Sequence, residues 1–120
     1  MVRGFFIQNT PWIQIVLGYG YSIQTPYVVL DTGFTGDLQV NPQIARELGL
    51  RVVGITRVQT ATGEVRYVPT AVAVVSMEGI TSYVQVIISN GFPLAGISFL
   101  VKFHYRAVID YHGTVLLQRV

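Results

Sequence analysis

An aspartate at the end of a predicted apolar strand is the residue in this sequence best placed to do chemistry. The apolar run from Val28 to Leu30 predicts a buried strand, and Asp31-Thr32-Gly33 follows it at once. Rigid backbone would therefore hold the Asp31 carboxyl at the edge of the core, where catalytic groups tend to lie. A carboxyl in such a position can accept a proton from water or donate one to a reacting atom.

Two other interpretations of Asp31 stay open on these residues alone. Its carboxylate could cap nearby amides as an ordinary turn residue. It could also be a phosphotransfer aspartate, but that role usually brings further acids or a lysine beside the strand end, and none adjoins Asp31. Asp37, farther along the same loop, is predicted to be a solvated loop acid and not a second catalytic group.

The elements that must position Asp31 are predicted to be short strands and one or two short helices. Asn41 is a good N-cap, Pro42 suits the first helical position and Gly49 suits the position after the last turn. These signals predict a helix from Pro42 to Leu48. Apolar residues at helical spacing predict a second short helix between Ile97 and Phe103.

A long hairpin is predicted in the middle of the chain. Arg51–Thr60 and Glu64–Met77 are its strands, joined by a tip of small residues, and Pro69 indicates a bulge or an edge within the second strand. Apolar residues on both faces predict a central strand from Ile80 to Ile88. Many short strands without an internal repeat favour a mostly β, barrel-like single domain over residues 1–120.

Composition narrows the possible partners. Half of the 120 residues are apolar and only 12% are charged, so part of the apolar surface is expected in a subunit interface. The net charge is +2 and no cluster of Lys or Arg is present, so no nucleic-acid partner is predicted.

Neither a metal nor a cofactor is predicted. The chain has no cysteine, which excludes disulfides and thiolate metal sites and fits a reducing compartment. His104 and His112 lack the spacing of metal ligands.

The uncharged stretches Gly4–Leu30 and Gly79–Val101 are interpreted as buried strands, not membrane spans, and the apolar residues near the N-terminus are too few for a signal peptide. We expect a cytoplasmic protein.

The order of these parts resembles one subunit of a retropepsin-like aspartic protease (clan AA), the half-sized relatives of pepsin that work as homodimers. The resemblance runs from about Trp12 to Gln118. Asp31-Thr32-Gly33 matches the catalytic Asp-Thr/Ser-Gly of that family. Leu94-Ala95-Gly96 matches its second signature, two apolar residues and a glycine before a short helix. The Phe-Thr-Gly that begins at Phe34 is similar to a bacterial or archaeal branch of single-domain members.

The resemblance implies a closed, barrel-like acid-protease fold that acts as a homodimer and hydrolyses peptide bonds. One carboxylate takes a proton from water while a second carboxyl donates one to the scissile carbonyl, so a working site would need Asp31 from each of two chains. Thr32 would hydrogen-bond across the two-fold axis, and Gly33 would allow close backbone approach. The hairpin tip Ala61-Thr62-Gly63-Glu64 would be the flap that closes over a peptide or protein substrate.

Some residues depart from the viral pattern of that family. Phe34 replaces a small residue, Ile97 stands where an arginine is usual, and Gly63 is the only glycine of the flap tip. An alternative function is therefore a catalytically silent relative, retained as a dimerisation or peptide-binding module.

Overall fold

The computed structural model describes all 120 residues, and most of them lie in short strands. The strands are β1 Val2–Arg3, β2 Phe5–Ile7, β3 Thr10–Gln14, β4 Val16–Tyr19, β5 Ser22–Gln24, β6 Tyr27–Leu30, β7 Leu38–Val40, β8 Gly54–Gln59, β9 Val65–Met77, β10 Ile80–Ile88, β11 Leu94–Ala95, β12 Tyr105–Ile109 and β13 Val115–Arg119. The two helices are α1 Pro42–Leu48 and α2 Ile97–Lys102. The mostly β prediction with two short helices is confirmed.

The larger sheet curls into a half-barrel. Its strands follow the order β2-β3-β6-β11-β7-β10-β9-β4-β5, and β8 pairs with β9 beside this path. The closed barrel expected from the sequence is wrong, because closure requires the two end strands to hydrogen-bond to each other. Here β2 pairs only with β3, and β5 pairs only with β4. A separate three-stranded sheet has the order β1-β13-β12.

The arrangement of β6, β11 and β7 positions the Asp31 loop. β11 lies between β6 and β7, parallel to β6 with Ala95 opposite Leu30, and antiparallel to β7 with Ala95 opposite Leu38. The loop from Asp31 to Asp37 must therefore pass over the end of β11 to join its two flanking strands. The Asp31 loop and β11, which are far apart in sequence, are thus brought into contact at the ends of these inner strands.

Helix α1 forms where its local signals place it. The Asn41 side chain accepts a hydrogen bond from Ile44 N at 2.8 Å, and Pro42 occupies the first turn. Gly49 ends the helix in the left-handed conformation with φ 72°, which glycine adopts without strain. Neither α1 nor α2 is long and apolar enough to span a bilayer.

Strands β8 and β9 form the predicted hairpin. They pair in continuous register from Gly54 opposite Thr70 to Gln59 opposite Val65, so Pro69 causes no bulge. Pro69 instead lies opposite Ile55 just before β9 begins to pair with β10 at Thr70. At Pro69 β9 therefore has a partner on one side only, as the edge interpretation predicted.

A cluster of twenty buried apolar residues forms the core inside the curled sheet. Phe99 from α2 and Phe103 just after it are fully buried in that cluster, with ring centroids 4.8 Å apart. Buried neighbours from β6 and β7 include Val28 and Leu38. Helix α2 therefore contributes to the same core as the strands on either side of the Asp31 loop.

Candidate active site

Backbone hydrogen bonds hold Asp31 on both sides. Its N–H donates to the carbonyl of Ala95 in β11 at 3.0 Å, and its own carbonyl accepts from Phe34 N at 3.1 Å. The first bond extends the β6–β11 ladder beyond the end of β6. Asp31 is consequently held at the end of the inner strand β6. Its position directly after an apolar strand predicted this placement.

The Asp31 carboxylate is half-buried and only partly hydrogen-bonded. Its Oδ1 accepts from Gly33 N at 2.9 Å, and no other hydrogen bond within the chain reaches the carboxylate. A Cβ on Gly33 would lie 3.2 Å from Oδ1, so glycine keeps this approach free. Thr32 is exposed beside it. The single amide bond agrees with the capping interpretation, but it leaves Oδ2 free for other chemistry.

Gly96, in the second signature Leu94-Ala95-Gly96, and Ile97 after it contact the loop between Asp31 and Asp37. Gly96 N donates to Asp37 O at 3.1 Å, and Ile97 N donates to Phe34 O at 2.9 Å. A Cβ on Gly96 would lie only 2.4 Å from the carbonyl oxygens of Phe34 and Gly36. These contacts are with backbone atoms that cannot rotate away, so the loop can lie this close to Gly96 only because it is glycine.

Asp37 is buried, and the prediction of a solvated loop acid is wrong. Only 5% of Asp37 is exposed. Its Oδ2 accepts from Gln85 N at 2.8 Å and from Lys102 Nζ at 2.5 Å. The physical reason is that Asp37 directly precedes the buried strand β7, whose parallel neighbour β10 carries Gln85.

The charge of Asp37 is set by opposing effects. Burial raises the pKa of its carboxyl, but hydrogen bonds from Lys102, Ser98 and the Gln85 amide lower it more, so the net pKa is below the ordinary value of 3.8. Asp37 is therefore an ionised carboxylate that forms an ion pair with Lys102. It is not suited to exchange protons with a substrate in the way that a catalytic acid must.

Two adjoining cavities form a groove between the Asp31 loop and the β8–β9 hairpin. The first, of about 380 Å³, is lined by Asp31, Leu94 and Arg66 among others. The second, of about 400 Å³, is lined by Arg57 and Gln85 among others. Both cavities are lined by Gly33, Phe34, Val58, Gln59 and Ile87. We call this continuous space the groove; each half has the volume typical of a small-ligand pocket.

The predicted site residues divide into three groups. Asp31, Gly33 and Leu94 line the groove together. Ala95 and Gly96 are buried beneath the loop. The tip residues Ala61, Thr62, Gly63 and Glu64 are all exposed and line neither cavity. The hairpin reaches the groove through β8 and the start of β9, and not through its tip.

No second acid lines the groove. Asp110 lines a third cavity of about 260 Å³, together with Phe6 and Tyr111. Its Oδ1 accepts from His112 N at 3.0 Å and from Thr114 N at 3.2 Å, and these backbone bonds lower the pKa of the carboxyl. Asp110 thus caps the β12–β13 turn.

Sequence reasoning missed the contact between Asp37 and Lys102. The one local signal was that Lys102, the only lysine in the chain, lies near the end of a mostly apolar predicted helix. A charged residue at the end of an apolar helix suggests a buried partner, but it does not say which acid that partner is.

A crystal structure of a retropepsin-like aspartic protease from Rickettsia conorii is similar to this chain. The TM-score is 0.68 at 16% sequence identity, and the match covers 99% of this chain and 89% of that chain. No protein-family model matches the sequence, and no curated protein matches it either. At this identity the likeness shows the fold alone. The chain has a retropepsin-like fold, with Asp31 in the loop after an inner strand.

Proposed function

We propose that the chain is a homodimeric aspartic endopeptidase, acting as one domain over residues 1–120. The observation that carries the proposal is the position of Asp31. It is the only acid lining the groove, its backbone is fixed by Ala95 and Phe34, and one carboxylate oxygen has no partner within the chain. The other acid of the same loop, Asp37, is occupied by Lys102.

The chemistry requires two carboxyls at one site. An ionised carboxylate takes a proton from a water molecule as that water attacks the scissile carbonyl carbon, and a protonated carboxyl donates to the carbonyl oxygen. Collapse of the tetrahedral intermediate breaks the C–N bond: the carboxyl that took the proton from water gives it to the leaving nitrogen, and the other carboxylate takes a hydroxyl proton back as the carbonyl re-forms. Two carboxyls this close cannot both ionise, so the pair holds one proton and can perform both roles.

The second carboxyl would come from Asp31 of a second copy. A two-fold axis beside the Asp31 loop brings the same residue of both chains together. Exposed apolar residues near that loop support an interface there. Ile97, directly after Gly96, is 39% exposed, and Val101 on the same helix is 69% exposed. Thr32, exposed next to Asp31, is free to bond to its counterpart.

The β8–β9 hairpin would act as the flap. An extended peptide in the groove would lie between β8 and the Phe34–Gly36 segment, where main-chain groups of a strand can bond to it. The exposed tip, Ala61 to Glu64, would then close over the peptide.

Incubation with a diverse peptide mixture at several acidic and neutral pH values tests this proposal. We expect cleavage that is blocked by a transition-state mimic of the hydroxyl type and is absent from Asp31→Asn. Sedimentation at high protein concentration should show a dimer. A strictly monomeric protein would remove the active-site proposal, because one chain supplies a single suitable carboxyl.

A catalytically silent peptide-binding module is the second candidate. The bond from Gly33 N to Asp31 Oδ1 and the single glycine of the flap tip, Gly63, favour it. This candidate predicts that peptides bind in the groove and remain intact, with or without the mimic.

A further inference from the structure

The half of the groove away from Asp31 contains an unneutralised positive charge. Arg57 is the only charged residue that lines this half. The ion pairs within the chain join Lys102 to Asp37, Arg66 to Glu64 and the N-terminal amine to Glu78, and Arg57 takes part in none of them.

The remaining acids do not neutralise Arg57 either. Glu47 accepts hydrogen bonds from Gln24 and Gln43 near α1. Asp110 caps the β12–β13 turn. Asp31 lies in the other half of the groove. All six acids of the chain are thus accounted for without a contact to Arg57.

The walls around Arg57 are polar and favour a charged ligand group. Thr56, Gln59 and Gln85 line the same half of the groove, and Gln85 Nε2 donates to Thr56 Oγ1 at 3.3 Å. The guanidinium carries fixed donors whose geometry matches a carboxylate in a bidentate pair. A neutral side chain offers these donors at most a weaker, uncharged acceptor, and a positively charged side chain meets repulsion.

The other arginine of the groove is less free to bind a ligand. Arg66 lines the Asp31 half, and its Nε donates to Glu64 Oε1 at 3.1 Å. Both side chains of that pair are more than half exposed, so the pair is weak, but it supplies a local counter-charge. Arg57 has no such counter-charge, and the two arginines are therefore expected to differ in what they bind.

We propose that Arg57 selects peptides with an acidic side chain in the segment that lies between β8 and the Phe34–Gly36 loop. This inference rests on the proposed function only in taking an extended peptide as the occupant of the groove. Side chains alternate along β8, and Ile55, Arg57 and Gln59 are exposed while Thr56 and Val58 between them are half-buried. Side chains of an extended peptide alternate in direction too, so an acidic side chain on the side of Arg57 would meet it while its two neighbours in the peptide point elsewhere.

Binding of fluorescent peptides to the Asp31→Asn variant tests this inference without cleavage. The peptides share one apolar sequence in which a single Glu, Gln or Lys is placed at each peptide position in turn. We expect one position at which Glu binds about tenfold more tightly than Gln, a difference typical of a charge-assisted hydrogen-bonded pair at a partly exposed site. Lys at that position should bind more weakly than Gln.

Variants of Arg57 and of Arg51 provide the comparison. Added to Asp31→Asn, Arg57→Gln should remove the preference for Glu, and Arg57→Glu should reverse it in favour of Lys. Arg51→Gln changes the net charge equally at an exposed residue outside the groove, and it should leave the preference unchanged. Equal binding of the three peptide series, a preference that survives Arg57→Gln, or no binding at all would overturn the inference.

Cleavage by the wild-type chain separates this inference from the proposed function. Cleavage of neutral peptides without any preference for Glu would support a protease and overturn the role of Arg57. An Arg57-dependent preference in binding with every peptide left intact would overturn the proposed hydrolysis and support the role of Arg57.

Discussion

Lys102 Nζ lies 2.5 Å from Asp37 Oδ2, so the end of α2 is joined to the last residue of the loop that contains Asp31. The same carboxylate oxygen accepts from Gln85 N in β10. Asp37 therefore connects a helix, a strand and the loop through a single side chain. We infer that this connection keeps the loop in place over β11 while the Asp31 carboxylate stays available.

We predict that Asp37→Asn destabilises the fold by about 1–3 kcal/mol near neutral pH, because it removes a charge-assisted bond at a buried position. The folded-state pKa of Asp37 is lowered, so its stabilisation is fully present above the ordinary pKa of 3.8 and is lost as pH falls through the folded-state pKa. Urea unfolding near neutral pH and well below pH 3.8 measures both predictions.

The control for Asp37→Asn is Glu47→Gln, an acid-to-amide change on the exposed face of α1. It should leave the free energy of unfolding nearly unchanged at both pH values. An Asp37→Asn variant whose loss of stability is as large at low pH as at neutral pH would contradict a contribution from the ionised carboxylate.

We predict that Gly96→Ala costs about 1–3 kcal/mol of stability or more, because the new methyl group would overlap two backbone carbonyl oxygens at 2.4 Å. The loop between Asp31 and Asp37 must then move away from β11. Gly18→Ala is a matched control, since its added Cβ would meet atoms no closer than 3.7 Å. Chemical denaturation of both variants measures this loss. If Gly96→Ala were as stable as Gly18→Ala, the loop would have moved without a loss of stability.

Local signals in the sequence were sufficient for the parts of the fold that depend on neighbouring residues. Asn41, Pro42 and Gly49 determine the ends of α1 through their own backbone preferences and hydrogen bonds. The small residues of the β8–β9 tip, together with Gly63 at φ 86°, predict the turn in the same way. These contacts form between residues close in sequence, so a pattern in the sequence can reveal them.

Contacts between distant residues could not be predicted in the same way. Asp37 and Lys102 are 65 residues apart, and nothing near Asp37 identifies its partner. Whether β2 and β5 meet depends on how far the whole sheet curls, which no single segment determines. The contact between the Asp31 loop and Gly96 was not predicted either, because its spatial reason appears only in the carbonyl oxygens that surround Gly96.

We predict that the hairpin tip with its flanking residues, Thr60 to Arg66, exchanges its amide hydrogens faster than Val84–Ile88 of β10. Every residue of the tip is exposed, and its closing bonds are Thr60 N to Glu64 O at 2.8 Å and Gly63 N to Thr60 O at 3.0 Å. Val84–Ile87 pair with β9 and Val86–Ile88 pair with β7, so the amides of this segment are better protected. Hydrogen exchange followed residue by residue tests this, and tip amides as slow as those of β10 would exclude a flap that opens to admit substrate.

Asp31→Asn distinguishes a catalytic pair from a turn cap. If two Asp31 carboxyls share one proton across a dimer axis, the variant should lose hydrolysis and keep a dimer at least as stable near neutral pH, because like-charge repulsion is removed while hydrogen bonding remains. If the carboxylate only caps Gly33 N, the amide is a weaker acceptor, and the variant should lose a few tenths to about 1 kcal/mol at that pH. Urea unfolding and sedimentation of both proteins, with peptide cleavage measured in parallel, separate the two cases. A clear loss of stability without any change in cleavage would leave the cap as the role of Asp31.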